Sequence, residues 1–122
     1  MQTANSAELY WDDIVITTDS LRVKVETLTN FCNSHVIDEI DVLKIDAQGS
    51  ELNILRGARH LLKRKSIDLL SFEMIIAPTY ENQPKMHEYF SFLYDLDYQL
   101  VDLYDLVRRG NKLLQMDCLF AR

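Results

Sequence analysis

Glycine is scarce in this chain. There are three in 122 residues, Gly49, Gly57 and Gly110, and none stands two positions from another. A loop that lets backbone amides close on a cofactor's phosphate or carboxylate needs glycines at short spacing. No such cradle is written in the sequence. Cysteine is equally sparse: Cys32 and Cys118 form neither a CxxC pair nor part of a Cys/His cluster. They are expected as small core residues, which excludes a zinc finger and a disulfide framework. No apolar run approaches the roughly 20 residues that span a bilayer, and Met1 to Ala7 lacks the basic and apolar regions of a signal peptide. A cytoplasmic location without membrane contact is the expectation. Positive charge is in deficit, with a formal net charge of -6, so nucleic acid is not an expected partner. The one cationic cluster, Arg59, Lys63, Arg64 and Lys65, falls where a helix should end, favourably placed at the macrodipole's negative pole.

What is present suits a single folded unit. Nearly half the residues (48%) are apolar and 26% charged, ordinary proportions for a globular domain, and the length suits one core over residues 1 to 122. Residues 1 to 19 have no assignable structure, except that Asp13 to Thr17 could pair with the next run. That run, residues 20 to 26, alternates, with Leu21, Val23 and Val25 on one face, predicting a half-buried strand. Thr27 can cap a short helix carrying Leu28, Phe31, Cys32 and Val36 at helical spacing. Asp41 to Asp46 is short and mostly apolar, as a buried parallel strand would be. A helix is predicted from about Ser50 to Lys65, with a core stripe of Ile54, Leu55, Ala58, Leu61 and Leu62. Gly57 inside it implies close packing of helix on sheet, because glycine there costs about 1 kcal/mol relative to Ala. A second buried strand follows at Ile67 to Met74, then a loop with Tyr80, Asn82 and Gln83. Pro84 suits the first position of a helix whose stripe is Met86, Tyr89, Phe90, Leu93 and Leu96. Tyr98 to Tyr104 and Gln115 to Phe120 flank a Gly110-Asn111 turn and predict an antiparallel edge hairpin. The alternation of strands and helices predicts an α/β architecture with a mainly parallel sheet.

One segment is specific. Asp41, Lys44, Asp46, Gly49, Glu51, Leu55 and Gly57 give the pattern D-x-x-K-x-D-x-x-G-x-E-x-x-x-L-x-G. At average residue usage its five polar or glycine positions between Asp41 and Glu51 coincide about once in a million windows. The segment resembles the central motif of FkbM-type methyltransferases. The likeness extends over the last hundred residues or so, through Val25-Glu26-Thr27-Leu28, Glu73, the loop from Tyr80 to Gln83 and Asp117-Cys118-Leu119-Phe120. Thr29 departs from the acidic residue usual in the family, which should weaken a local helix cap. The resemblance implies a Rossmann-like class I methyltransferase fold, here truncated to its C-terminal half, and methyl transfer from S-adenosylmethionine to a hydroxyl of a sugar or natural product.

In open α/β sheets ligands bind beyond the carboxyl ends of the strands, where Asp46 and Glu73 are expected on two successive strands. An alcohol acceptor must lose its proton, and Asp46 is the first candidate to take it or to orient the acceptor, with Glu73 and Lys44 beside it. Glu51, Tyr80 and Gln83 are candidates for substrate binding. Structural readings stand against each. Asp46 could cap the amides around Gly49 and Ser50, and Glu51 could be an ordinary acid at a helix start. Lys44, in a buried strand, would pair with Glu73 or Asp46 to make the interior tolerable. The Tyr80 to Gln83 residues could be a plain turn before Pro84. His35, His60 and His87 lack ligand spacing, and no metal is expected. The missing glycine loop makes cofactor binding by this chain doubtful and activity alone improbable. The alternative function is a non-catalytic binding or scaffold domain. The strand Asp41 to Asp46 would have lost its usual neighbour, so a homodimer or partner chain covering that edge is expected.

Overall fold

A computed structural model describes residues 18–122. The expected pairing of Asp13 to Thr17 therefore lies outside the described residues. The order of elements is α1 (Leu28–His35), β1 (Ile40–Ile45), α2 (Glu51–Gly57), α3 (Arg59–Lys63), β2 (Ile67–Ile75), α4 (Met86–Tyr94), β3 (Gln99–Arg109) and β4 (Lys112–Ala121). The strands form one sheet in the order β1-β2-β4-β3. Only β1 and β2 are parallel; β4 runs antiparallel to both β2 and β3. The α/β class is as expected, but the sheet is mixed and not mainly parallel. The reason is topological. After α4 the chain runs to the far edge as β3 and returns by the two-residue turn at Gly110 and Asn111, which slots β4 between β2 and β3. A tight turn can only return the chain antiparallel.

Period-2 alternation splits the sheet into two unlike faces. Leu70, Phe72 and Met74 of β2, with Met116, Cys118 and Phe120 of β4, point into the core. There they meet Leu52, Leu55, Leu61 and Leu62 of α2 and α3 and Tyr89 and Leu93 of α4. Phe72 stacks on Tyr89 and Phe120 at 5.5 and 5.9 Å between ring centroids. Cys32 and Cys118 are both small buried core residues with free thiols. The opposite face carries Val42, Lys44, Leu69, Ser71, Glu73, Asp117 and Leu119. Among the described residues no helix covers it, and no helix is long and apolar enough to cross a membrane.

Several expectations change. Residues 20 to 26 form no strand and pair with none of the described ones, and Leu21, Val23 and Val25 are 85%, 73% and 84% exposed. Their alternation makes an apolar face, but no described sheet edge meets it. β1 is parallel to β2, yet it is an edge strand of which only Ile45 is buried, so Lys44 is exposed and needs no internal partner. The helix predicted from Ser50 to Lys65 is two, breaking at Ala58. Its core stripe holds at Leu55, Ala58, Leu61 and Leu62, joined by Leu52, while Ile54 is half-buried. Gly57 is there for close packing, but against α1 and not the sheet. A Cβ on it would meet the Thr27 Cβ and Cγ2 at 3.4 Å.

Two helix starts differ in detail. Thr27 caps α1 as expected, its Oγ1 accepting from the Asn30 N–H at 3.2 Å. Pro84 stands one residue before the N-cap of α4, which is Lys85. The Lys85 N–H donates to Glu88 Oε2 at 2.8 Å, a bond that a proline N-cap would lack. Thr29, the departure from the family motif, has its own task. Its hydroxyl donates to the Gly57 carbonyl at 2.8 Å and ties α1 to the end of α2, which a carboxylate there could not do.

Candidate active site

The sequence from Asp46 to Glu51 must turn the chain from the end of β1 into α2. Two residues take left-handed backbone to do so, Gln48 at φ +48 and Gly49 at φ +97. At Gly49 there is no alternative: a Cβ would lie 2.6 Å from Tyr80 Cδ2. Glu51 then closes the turn from inside. It is 1% exposed, and its Oε1 accepts from the Ala47 N–H at 2.9 Å while Oε2 accepts from the Gly49 N–H at 2.9 Å. The amides that Asp46 might have capped go elsewhere, the Gly49 N–H to Glu51 and the Ser50 N–H to the Ala47 carbonyl at 3.3 Å. That leaves Asp46 exposed at the end of β1.

Gln48 joins the cluster together. Its Nε2 donates to Asp46 Oδ1 at 3.1 Å and, longer, to Glu73 Oε2 at 3.4 Å, and its Oε1 accepts from the Tyr80 hydroxyl at 3.1 Å. Glu73 Oε1 accepts from Gln115 Nε2 of β4 at 2.7 Å. The left-handed conformation of Gln48 lets one amide span the carboxyl ends of two strands. A pocket of about 90 Å³ lies between them, lined by Lys44, Asp46, Ser71, Glu73 and Asp117 with the backbone of their neighbours. Lys44 and Ser71 are register partners across β1 and β2, and Glu73 and Asp117 across β2 and β4. Ser71 Oγ lies 3.0 Å from the Tyr104 hydroxyl.

Charge in this pocket is mostly of one sign. Burial pushes the Glu73 carboxyl above its ordinary range, and Asp46, Asp117 and Glu51 push it further, with Gln48 partly opposing. Burial likewise raises Asp117, helped by Asp105, against the pull of Lys44. The Tyr80 hydroxyl is held protonated by burial and by Glu51 and Glu73, which keeps it the donor to Gln48. A carboxylate raised toward neutrality by burial and like charge can accept a proton and later release it, the property wanted of a general base.

Of the residues singled out in the sequence, Asp46, Glu73 and Lys44 line one pocket, and Tyr80 is tied to them through Gln48. Glu51 and Gln83 stand apart from it. The Gln83 side chain accepts from the Thr79 and Tyr80 N–H groups and donates to the Ile75 and Ala77 carbonyls, so its amide is committed to shaping the loop. Gln48, Ser71 and Asp117 were not singled out. Asp117 had a usable signal, the period-2 pattern that puts Gln115, Asp117 and Leu119 on one face, but its position beside Glu73 depends on where β4 inserts.

A sequence profile of the methyltransferase FkbM domain matches residues 1–100. The chain belongs to the FkbM methyltransferase family. No curated protein and no solved structure matches it. Membership makes S-adenosylmethionine the group to test against the fold, and the described residues do not fit it. Gly49 is closed over by Tyr80, Gly57 packs on Thr27 and Gly110 sits in the hairpin turn. No two of them share a loop that could close backbone amides on a cofactor, and the pocket at Asp46 is far below the roughly 300 Å³ at which cofactor sites begin.

Proposed function

We propose that this FkbM chain supplies the acceptor side of an O-methyltransferase, with a sugar or natural-product hydroxyl as the group methylated. The reading is supported above all by one observation, the joining of Asp46 and Glu73 by a single amide at the carboxyl ends of two parallel strands. In this reading Asp46, exposed at the pocket mouth, receives the acceptor's proton. The O–H bond breaks, the proton passes to a carboxylate oxygen, and the electron pair stays on the acceptor oxygen. Glu73, held from two sides by Gln48 and Gln115, orients the hydroxyl. Positioning of this kind matters because displacement at a methyl group needs in-line approach. Lys44 is the one cation among the residues that line this pocket.

S-adenosylmethionine, the donor expected for the family, is gripped in this reading by a glycine loop on a second polypeptide or segment. The open sheet face and the edge of β1, which no described strand pairs, are where that partner would seat; a second copy of this chain could cover the edge but, having no glycine loop, would not hold the cofactor. Calorimetric titration of the chain alone with cofactor should be silent. When a glycine-loop half from another family member is added, labelled methyl transfer to a sugar hydroxyl should appear, and Asp46→Asn should lower its turnover by about a hundredfold. Restored transfer that neither Asp46→Asn nor Glu73→Gln diminishes would remove these residues from the chemistry. Cofactor heat from the chain alone would overturn the shared-site reading.

A further inference from the structure

We propose that the groove between the start of α1 and the α2–α3 break is a binding site for a small molecule bearing a diphosphate or phosphate group. Arg56, Arg59, His60 and Lys63 stand at spacings of three, four and seven from the first, which on a helix is one face. That spacing survives the break at Ala58. All four are exposed and line a groove of about 420 Å³, whose other wall is Thr27 and Thr29. The volume falls within the roughly 300 to 1,000 Å³ of small-molecule pockets. No acidic residue lines it, in a chain whose net charge is -6.

Favourable placement at helix ends accounts for Arg56 and Lys63, in the last turns of α2 and α3. It does not account for Arg59, the first residue of α3. The neighbouring contacts also suit an anion. The Gly57 carbonyl, which would repel one, is occupied by the Thr29 hydroxyl. The Arg59 guanidinium lies over the Phe92 ring, 5.4 Å from its centroid, which fixes its stem beside the groove. Arg56 is held by a 3.8 Å pair with Glu88 between half-exposed side chains and by a long, 3.5 Å hydrogen bond to Asn53 Oδ1, both weak enough to exchange for a phosphate oxygen. The groove sits at the end of α2 remote from Glu51 and the Asp46 pocket, so it stands or falls independently of the methyl-transfer reading.

Inorganic pyrophosphate titrated calorimetrically into the full chain tests the assignment. Binding is expected, weakening as salt rises because exposed charges are screened. The double variant Arg59→Gln/Lys63→Gln should bind at least about tenfold more weakly, two charge-assisted contacts being lost. Arg108→Gln/Lys112→Gln, exposed on the β3–β4 hairpin, removes the same charge and should leave affinity within about twofold. Both variants should keep the thermal midpoint, since these side chains lie outside the core. No heat from pyrophosphate, or equal weakening by both double variants, would overturn the site. Binding to anionic phosphatidylserine vesicles that pyrophosphate does not displace would overturn it in favour of a lipid surface.

Discussion

The two faces of the sheet are built on different terms. On the helix side Leu70, Phe72, Met74, Cys118 and Phe120 are at most 1% exposed and contact one another through a single core. On the other side Lys44, Ser71, Glu73 and Asp117 stand half-open around a small pocket, with carboxylates raised by burial and by one another. Apolar packing is concentrated on the first face and ionisable groups on the second. Charge repulsion is confined to the open face and is absent where packing decides the fold.

That division predicts a steep gradient of mutational cost. Phe72→Ala empties the centre of the packed face, where the ring meets Tyr89 and Phe120, and should cost about 3 to 5 kcal/mol in urea denaturation. A loss under about 1 kcal/mol would mean that the core collapses around the void. Glu51→Ala comes next. The motif's acid is fully buried and accepts from two backbone N–H groups of the site's turn, so its removal should cost about 2 to 3 kcal/mol. Asp46→Asn, on the exposed side of the same turn, should cost less than about 0.5 kcal/mol. Equal costs at 46 and 51 would erase the distinction between the carboxylate that shapes the turn and the one presented to the pocket.

Thr29→Val lies between the large and the small effects. It deletes the one side-chain bond that joins α1 to the Gly57 carbonyl and should cost about 1 kcal/mol. Thr29→Asp tests why the chain departs from its family here. It restores an acid to the first turn of α1, favourable for the helix by about 0.5 kcal/mol, but cannot donate to Gly57. If it proves more stable than the native chain, the tie between the helices is worth less than the dipole.

How much of this was legible in the residues follows the range of the interactions. β1, β2, the Thr27 cap and the closing hairpin are local patterns, and they stand where alternation and turn residues put them. The insertion of β4 between β2 and β3 is not local. It makes the sheet mixed and brings Asp117 to Glu73 across a pairing that no spacing encodes. The break at Ala58 follows Gly57, a poor helix former, but the bond made there, from the Thr29 hydroxyl of α1 to the Gly57 carbonyl, is one that no spacing encodes. Gln48 was passed over because it fills a variable position in the motif, and its role comes from a left-handed backbone that only the folded turn displays. The strand expected at residues 20 to 26 shows the opposite failure. Its pattern is clear, but burial requires a partner as well as a pattern.

One small effect bears most directly on the open face. Glu73 and Asp117 are opposite one another across β2 and β4, and both carboxyls are raised. A raised carboxyl binds its proton more tightly in the folded chain than in the unfolded one, so its ionisation opposes folding. The associated stability is present at acid pH and is lost as pH rises from the ordinary carboxylate range through the folded values. Asp117→Asn removes one of the two charges. Near neutral pH it should stabilise the fold by about 0.5 kcal/mol, the usual size of a like-charge cross-strand pair. Toward pH 4, where carboxyls begin to hold their protons, the gain should shrink to nothing. Paired urea melts of the two proteins across that range measure the difference directly. A variant that is less stable at neutral pH would mean that Lys44, the cation that draws Asp117 downward, outweighs the repulsion, and the pocket would then be a balanced ion cluster instead of a site held under charge strain.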